Sequence, residues 1–230
     1  MADLLKQGLE KLNFSQIEID SLIIKMEQYI KELVLFNSAY NLVNTDNHDE
    51  IVVRHILDSL AAAGEIKKLA DAQKAKGKTK VVIGDIGSGG GLPGIPLASA
   101  LPDIEFVLVE RMSKRCAFLE NAAAILGLKN VSVLNKEAEK VKKESIDIAV
   151  FRAFRPLDKT MIKTLLDLIP SDGVLAAYKA KKEKIIEEMS AIGYEEKDYD
   201  LKKLEVPFLT DTSSDESRER NLVIVSKSLA

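Results

Sequence analysis

Cysteine, tryptophan and histidine are scarce in this 230-residue chain, which contains one Cys, no Trp and two His. A single cysteine, Cys116, excludes an internal disulfide and is typical of a reducing compartment. Without Cys-x-x-Cys or Cys/His ligand spacings, neither a structural zinc site nor any other metal is expected. No apolar run approaches the about 20 residues that cross a bilayer. These absences predict a cytoplasmic protein without a membrane partner.

An excess of charge of one sign is also lacking, since 33 basic and 36 acidic side chains leave a formal net charge of −3. That balance excludes a protein that binds nucleic acid through overall positive charge, so any RNA contact has to be local. Lysines cluster in segments 67–80 and 179–184, where the simplest interpretation is a solvated linker and a solvated helix face. A charge near zero without a clear apolar patch predicts a monomer.

Hydrophobic patterning divides the chain into a helical part and an α/β part. A capping box at Ser15–Glu18 opens an amphipathic helix that extends to about Phe36, and helical spacing resumes over 51–63. We therefore predict an N-terminal helical cap over 1–66, a basic connector over 67–80 that is mobile over 70–79, and an α/β domain over 81–230.

From residue 81 onward, short β-rich runs alternate with helical stretches, which indicates βαβ units and a mostly parallel sheet. The last two of the seven predicted strands have no helix between them, so the sheet should end in an antiparallel hairpin. The predicted strands are Val81–Ile86, Glu105–Glu110, Val131–Leu134, Ile146–Phe151, Val174–Tyr178, Asp200–Val206 and Leu222–Val225. The predicted helices are Pro93–Leu101, Ser113–Leu126, Leu157–Ile169 and Lys181–Ile192.

The sharpest motif is a glycine loop after the first strand, Asp85-Ile86-Gly87-Ser88-Gly89-Gly90-Gly91-Leu92-Pro93-Gly94. Glycine has no Cβ, so the backbone can turn sharply and lie against a nucleotide-like cofactor. Gly89, Gly91 and Gly94 also match the dinucleotide fingerprint, which keeps NAD open. The Asp85 carboxylate would repel a pyrophosphate but suits the cationic end of S-adenosylmethionine. The tight Gly87-x-Gly89-x-Gly91 spacing likewise suits an amino-acid tail.

A second acidic residue, Glu110, ends the next predicted strand. Its carboxylate can accept hydrogen bonds from both ribose hydroxyls of an adenosyl group, an interaction that NAD and S-adenosylmethionine would share. The alternative is a solvated strand end paired with Arg111 or Lys114.

Three motifs together resemble the ribosomal RNA small subunit methyltransferase G (RsmG/GidB) family. They are Arg54-His55-Ile56-Leu57-Asp58-Ser59-Leu60, the glycine loop with its extension to Ala98, and Lys114-Arg115-x-x-Phe118-Leu119. The resemblance runs from about Phe36 to the C-terminus. It implies a Rossmann-like S-adenosylmethionine-dependent methyltransferase domain, with a seven-stranded mostly parallel sheet and an antiparallel last strand, behind the helical cap. It also implies methyl transfer to N7 of one guanosine in 16S rRNA, with S-adenosylhomocysteine as the product.

The resemblance also implies positions for the cofactor contacts. Those carried over from the family are Gly87, Leu92, Ala138, Glu139 and Arg152, while Asp85, Gly89, Gly91 and Glu110 follow from the general fold. The chain departs from the family at Phe151, where a small polar residue is usual, and at Tyr178-Lys179-Ala180, where Lys-Gly is usual.

Guanine N7 carries a free lone pair, so its methylation requires no proton removal and no catalytic acid or base is expected. Catalysis then depends on alignment of the reacting atoms and exclusion of water. We predict that Arg54, His55 and Lys179 contact the 16S rRNA or the small ribosomal subunit, because cations neutralise the phosphate backbone.

Other functions stay open from the sequence. A methyltransferase of a different RNA, protein or small molecule would share the fold. A NAD-dependent oxidoreductase would be protected against unfolding by its nicotinamide cofactor, whereas we expect protection by S-adenosylhomocysteine. A non-catalytic RNA-binding protein with a vestigial loop would respond to neither ligand.

Overall fold

The computed structural model describes residues 2–155, 157–210 and 218–229, which form a seven-stranded sheet packed with helices. In chain order the strands are β1 Val82–Ile86, β2 Glu105–Glu110, β3 Val131–Asn135, β4 Ile148–Arg152, β5 Val174–Lys179, β6 Asp200–Lys203 and β7 Asn221–Ser226. Their order across the sheet is β3-β2-β1-β4-β5-β7-β6. Strands β1 to β5 pair in parallel, and β7 is antiparallel to both β5 and β6. The predicted mixed sheet with its antiparallel hairpin is confirmed.

Helices precede the sheet and connect most of its strands. They are α1 Ala2–Lys11, α2 Gln16–Tyr40, α3 His48–Ile51, a π-helix Val52–Leu57, α4 Asp58–Leu60, α5 Ala63–Ala75, α6 Gly94–Ala100, α7 Ser113–Ile125, α8 Lys159–Leu168 and α9 Lys182–Ala191. Short 3₁₀ turns occur at Ala138–Lys140, Glu196–Asp198 and Lys227–Leu229. Most boundaries lie within two residues of the predicted ones. Strand β6 ends earlier than predicted, because Val206 N donates to Thr210 Oγ1 in the turn that follows.

The capping box predicted at the start of α2 is confirmed. The Ser15 hydroxyl accepts from Glu18 N, and Glu18 Oε2 accepts from Ser15 N at 2.7 Å, so two otherwise unpaired N–H groups are satisfied. The helix continues past the predicted end at Phe36 to Tyr40. It stops where Asn41 adopts the left-handed conformation with φ 50°.

The segment predicted as a mobile connector is instead helical to Ala75, because α5 continues into it. Ile66, Ala70 and Gln73 are buried at helical spacing, and Gln73 Nε2 donates to Asp172 O at 2.7 Å. The buried positions in the last turns of α5 are small or polar, so they show no apolar periodicity in the sequence. The prediction of an irregular segment was therefore wrong over most of its length.

Two apolar clusters cover the opposite faces of the sheet. The first joins helix α2, through Met26 and Leu33, to Phe106 and Leu108 of β2. The second packs α8 and α9 against the alternate strand residues, including Val109. The helical N-terminal part thus shares one continuous core with the sheet. No helix in the described ranges is long and apolar enough to cross a membrane.

Candidate functional site

Two adjoining cavities open at the carboxyl ends of the parallel strands. The chain runs outward from β1 through β2 to β3 and then returns to β4 on the other side of β1, and such a switch point is where α/β sheets bind ligands. The larger cavity has a volume of about 890 Å³ and the smaller one about 200 Å³. The residues that line both are Gly87, Arg115, Ala153, Phe154 and Arg155.

The glycine loop between β1 and α6 lines the larger cavity and reaches the smaller one through Gly87. Gly87 has φ +72°, and a Cβ added there would lie 2.1 Å from Cδ2 of Phe154. Gly91 has φ +90°, and its added Cβ would lie 2.6 Å from Cγ1 of Ile95. Both positions therefore require glycine for backbone conformation and for space. Gly87 faces the cavities, whereas Gly91 faces the core.

Asp85 supports this loop from beneath. Its Oδ2 accepts from Ser88 Oγ at 2.6 Å and from Gly94 N at 3.0 Å, while Oδ1 is buried without a partner among the described residues. Burial raises the pKa of this carboxyl to about 6, although the Ser88 and Gly94 hydrogen bonds oppose the rise. The side chain lines neither cavity, so its effect on a ligand would pass through the loop and through its charge.

Glu110 stands at the end of β2 and lines the smaller cavity. Its Oε2 accepts from Gly89 N at 3.0 Å and its Oε1 accepts from Met112 N at 2.9 Å. Each carboxylate oxygen has a further lone pair, so Glu110 can hold the loop and still accept from ligand hydroxyls. Ala138 lines the same cavity, while Glu139 lines neither cavity and pairs with Arg155 at 3.2 Å.

Asp58 is a buried carboxylate between two arginines of the larger cavity. Its Oδ2 lies 2.8 Å from Nη1 of Arg152, and its Oδ1 lies 3.4 Å from Nε of Arg220. Arg152 also reaches His55, with 3.2 Å between Nη2 and Nδ1. Burial, and then the positive charges of Arg152 and Arg54, lower the pKa of His55 to about 4. His55 is therefore neutral near pH 7, and its Nδ1 accepts, since arginine can only donate.

Arg54 and His55 lie on the π-helix, where the wider turn interrupts the helical run 48–60. Such turns are frequent at functional sites. Ser59 Oγ donates to His55 O at 2.6 Å, and Tyr178 OH donates to Ser59 O at 2.8 Å, which ties this segment to β5. Arg54 is exposed at the cavity rim, in contrast to the half-buried His55.

Positive charge dominates the larger cavity even though the whole chain is slightly acidic. Its lining contains six cationic side chains and two carboxylates, an excess of four positive charges. The cations are Arg54, Arg115, Arg152, Arg155, Lys179 and Arg220, and the carboxylates are Asp58 and Glu188. Lys179 is paired with Glu188, with 2.7 Å between Nζ and Oε2. The cavity thus has the electrostatic character of an anion site, as the local basic patch expected for RNA contact requires.

The structure brings most of the sequence-predicted site residues to the two cavities. The larger one is lined by Gly87, Gly89, Leu92, Arg152, Arg54, His55 and Lys179, and the smaller one adds Glu110 and Ala138. Asp85, Gly91 and Glu139 line neither. Contact of any of these residues with a ligand stays a prediction. Within the described part of the chain, no group of three or more His, Cys, Asp or Glu is arranged to hold a metal.

Four further residues at the site were not predicted as site residues. Arg115 and Phe154 line both cavities, Arg220 shares Asp58, and Tyr29 donates to the glycine loop at Gly90 O. Tyr29 continues the buried α2 stripe seven residues after Leu22, so the helical spacing contained a signal for its burial. Arg220 carries no such signal, because only the pairing of β7 with β5 brings it near Asp58.

Comparisons with known proteins agree on one family. The family model described as rRNA small subunit methyltransferase G matches residues 22–222. Ribosomal RNA small subunit methyltransferase G of Treponema denticola is 38% identical, covering 97% of this chain and 94% of its own. The Francisella tularensis protein of the same name is 31% identical, covering 100% and 98%. A Methanococcus maripaludis crystal structure, whose proposed identity is an S-adenosyl-L-methionine-dependent methyltransferase, matches in fold with TM-score 0.55 at 15% identity, covering 86% and 92%.

Proposed function

The chain belongs to the rRNA small subunit methyltransferase G family, and from this premise we propose that it transfers the methyl group of S-adenosylmethionine to N7 of a guanosine in 16S rRNA. The observation that carries the proposal is the arrangement of the two cavities. A glycine loop supported by two carboxylates, Asp85 and Glu110, lines a larger cavity with an excess of positive charge and reaches a small pocket through Gly87. The two carboxylates would suit the ribose hydroxyls and the cationic end of an adenosyl cofactor, and the positive charge of the larger cavity would suit a polyanionic substrate.

The residues of the site fit the proposed cofactor. Glu110 would accept from the ribose hydroxyls, and Ala138 would lie beside the adenine. Gly87, Gly89 and Leu92 would follow the chain toward its amino-acid end, and Arg152 would contact it from β4. The buried Oδ1 of Asp85, which has no partner among the described residues, leaves negative charge beneath the loop, which favours a cationic ligand above it.

The chemistry requires little proton transfer from the protein. When bound, S-adenosylmethionine supplies a methyl group on a positively charged sulfur, and guanine N7 has a free lone pair with which to attack it. The side chains then have to orient the base and exclude water. Neutral His55, whose pKa lies near 4, is held by Arg152 and is suited to positioning rather than to accepting a proton.

The substrate side of the site would be the larger cavity. Arg54 at its rim and Lys179 at the end of β5 are our candidates for phosphate contacts, with Arg152 deeper in the cavity. Any arginine that approaches the guanine has to contact O6 and spare N7, because a hydrogen bond to N7 would block the attacking lone pair.

The test is to incubate the protein with labelled S-adenosylmethionine and undermethylated small ribosomal subunits and to map the labelled nucleotide by mass spectrometry. Label at guanine N7 of 16S rRNA is the expected result. Label in a different RNA, in protein or in a small molecule would support the alternative acceptors that the fold also allows. Thermal protection by NAD but not by S-adenosylhomocysteine would overturn the assignment to methyl transfer.

A further inference from the structure

Arg115 occupies the junction of the two cavities without a role in the proposed reaction. It belongs to the Lys114-Arg115-x-x-Phe118-Leu119 motif, lies in the first turn of α7 and lines both cavities. Its Nη1 would lie 3.9 Å from a Cβ added to Gly89, so the guanidinium stands beside the glycine loop.

The guanidinium of Arg115 uses few of its five donors within the protein. Nη2 donates to Asn41 O at 2.9 Å, which fixes the group against the end of α2. Nε is buried and has no hydrogen-bond partner in the ranges that the structure describes. A buried donor without a partner is costly, so the described residues leave part of the donor capacity of this guanidinium unused.

Arg115 also differs from its neighbours in charge pairing. Four of the other five cations of the larger cavity are ion-paired with carboxylates, and the fifth, Arg54, is exposed at the rim. The pairs are Arg152–Asp58, Arg220–Asp58, Lys179–Glu188 and Arg155–Glu139. Arg115 has no ion pair with any described residue. Among the described residues it is thus the half-buried cation of the larger cavity that forms no ion pair.

We propose that Arg115 binds an oxyanion beside the glycine loop, through the planar fork of donors that suits carboxylates and phosphates. Two sources offer this chemistry under the proposed function, on which this inference rests. One is the amino-acid carboxylate of the cofactor, and the other is a phosphate next to the target nucleotide.

The experiment compares Arg115→Gln with the wild-type protein and with Lys114→Gln, which removes the same charge from an exposed neighbour outside both cavities. Calorimetry measures binding of S-adenosylhomocysteine and of methylthioadenosine, which keeps the adenosyl thioether but lacks the amino acid. Methyl transfer to undermethylated small subunits is measured as a function of subunit and salt concentration.

If Arg115 binds the cofactor carboxylate, Arg115→Gln weakens S-adenosylhomocysteine about tenfold to a hundredfold and leaves methylthioadenosine unchanged. If it binds RNA phosphate, both small ligands bind normally, KM for subunits rises and the salt slope falls by about one. Lys114→Gln should show neither pattern. Equal weakening of both small ligands, or no change in any measurement, would overturn the proposal in favour of a structural role at Asn41.

Failure of the proposed function would look different, because the wild-type protein would then neither bind S-adenosylhomocysteine nor methylate subunits. In that case inorganic phosphate serves as the probe. Millimolar phosphate should raise the melting temperature of the wild-type protein more than that of Arg115→Gln. Equal protection of the two proteins would overturn the oxyanion site itself.

Discussion

The hydroxyl of Tyr29, in helix α2, donates a hydrogen bond to the carbonyl oxygen of Gly90 in the glycine loop. The N–H of the same peptide group belongs to Gly91 and donates to Ser88 O at 2.7 Å, so the peptide is held on both sides. Tyr29 is fully buried, and burial raises the pKa of its phenol well above the usual value, which keeps the proton on the donor. The helical N-terminal part therefore helps to fix the conformation of a loop whose Gly90 lies 61 residues further along the chain.

Tyr29→Phe removes this hydroxyl and leaves the Gly90 carbonyl buried without its partner. We expect the free energy of unfolding to fall by about 1–3 kcal/mol. Because the loop peptide is then held only through the hydrogen bond from Gly91 N to Ser88 O, we also expect the affinity for S-adenosylhomocysteine to fall several-fold. Urea unfolding and calorimetry measure the two effects. Tyr40→Phe, on the partly exposed end of the same helix, is the control and should change neither; unchanged cofactor affinity in Tyr29→Phe would show that the hydroxyl does not position the loop.

Gly87→Ala tests the closest approach in the site. The added methyl group would meet the Phe154 ring, and the residue would be held at φ +72°. Gly127→Ala is the matched control, since Gly127 has φ +63° with nothing near its added Cβ. The control should lose about 1 kcal/mol of stability from backbone strain alone. We expect Gly87→Ala to lower the free energy of unfolding by more than the control does, and also to abolish S-adenosylhomocysteine binding. Equal losses of stability in the two variants, with normal binding in Gly87→Ala, would contradict this account.

Asp58→Asn should damage both the fold and the site. The carboxylate is buried between Arg152 and Arg220, and its loss leaves two cations without their partner. Removing one member of a buried ion pair typically costs about 3–5 kcal/mol. Asp71→Asn is the control, because its pair with Lys67 is exposed on α5 and contributes about 0–1 kcal/mol. Denaturant unfolding measures stability, and kcat/KM for subunit methylation measures the site. If Asp58→Asn lowers the free energy of unfolding and kcat/KM no more than the control does, the proposed role of Asp58 is wrong.

The sheet could be predicted because each of its strands is indicated by residues that are adjacent in the sequence. Each parallel strand is a short apolar run, and the glycine loop is a contiguous motif whose backbone demands can be inferred from residue type. Helix α5 was missed because Ala70 and Gln73 bury small or polar groups, which apolar periodicity does not detect.

The finer features of the site depend on contacts that the sequence does not contain. The spacing of Asp85 from the glycines predicts a carboxylate near the loop, but not that it turns inward to Ser88 and Gly94. The meeting of Asp58 with Arg220 requires the whole strand order, since β7 has to return beside β5. Burial and pairing of this kind follow from tertiary packing and not from residue pattern.

Lys179→Ala tests the predicted RNA contact. Lys179 lines the larger cavity and pairs with Glu188, so its removal takes away one positive charge from the proposed substrate side. We expect KM for small subunits to rise about threefold to tenfold, with S-adenosylhomocysteine affinity nearly unchanged. Lys184→Ala, which removes an exposed lysine of α9 paired with Glu187, is the control. Equal loss of RNA and cofactor affinity in Lys179→Ala would show that the residue does not act on the RNA.

Asp85 should make cofactor binding depend on pH near 6. Burial raises the pKa of Asp85 from 3.8 to about 6, so between these values the folded protein holds more protons than the unfolded chain. Stability from this group therefore rises as pH falls through 6, and the ionised form costs about 3 kcal/mol at pH 7. A cationic cofactor favours the ionised form.

Binding of S-adenosylhomocysteine, whose amino group is cationic, should accordingly release protons near pH 6, and the affinity should rise as the pH increases from 5 to 7. Calorimetry in buffers of different ionisation enthalpy counts these protons. Asp85→Asn should abolish the release and flatten the pH dependence, while Ser88→Ala should keep the release and shift it to higher pH, because the Ser88 hydrogen bond lowers the pKa of Asp85. Proton release that persists in Asp85→Asn would assign the linkage to another group and remove the electrostatic argument for a cationic cofactor.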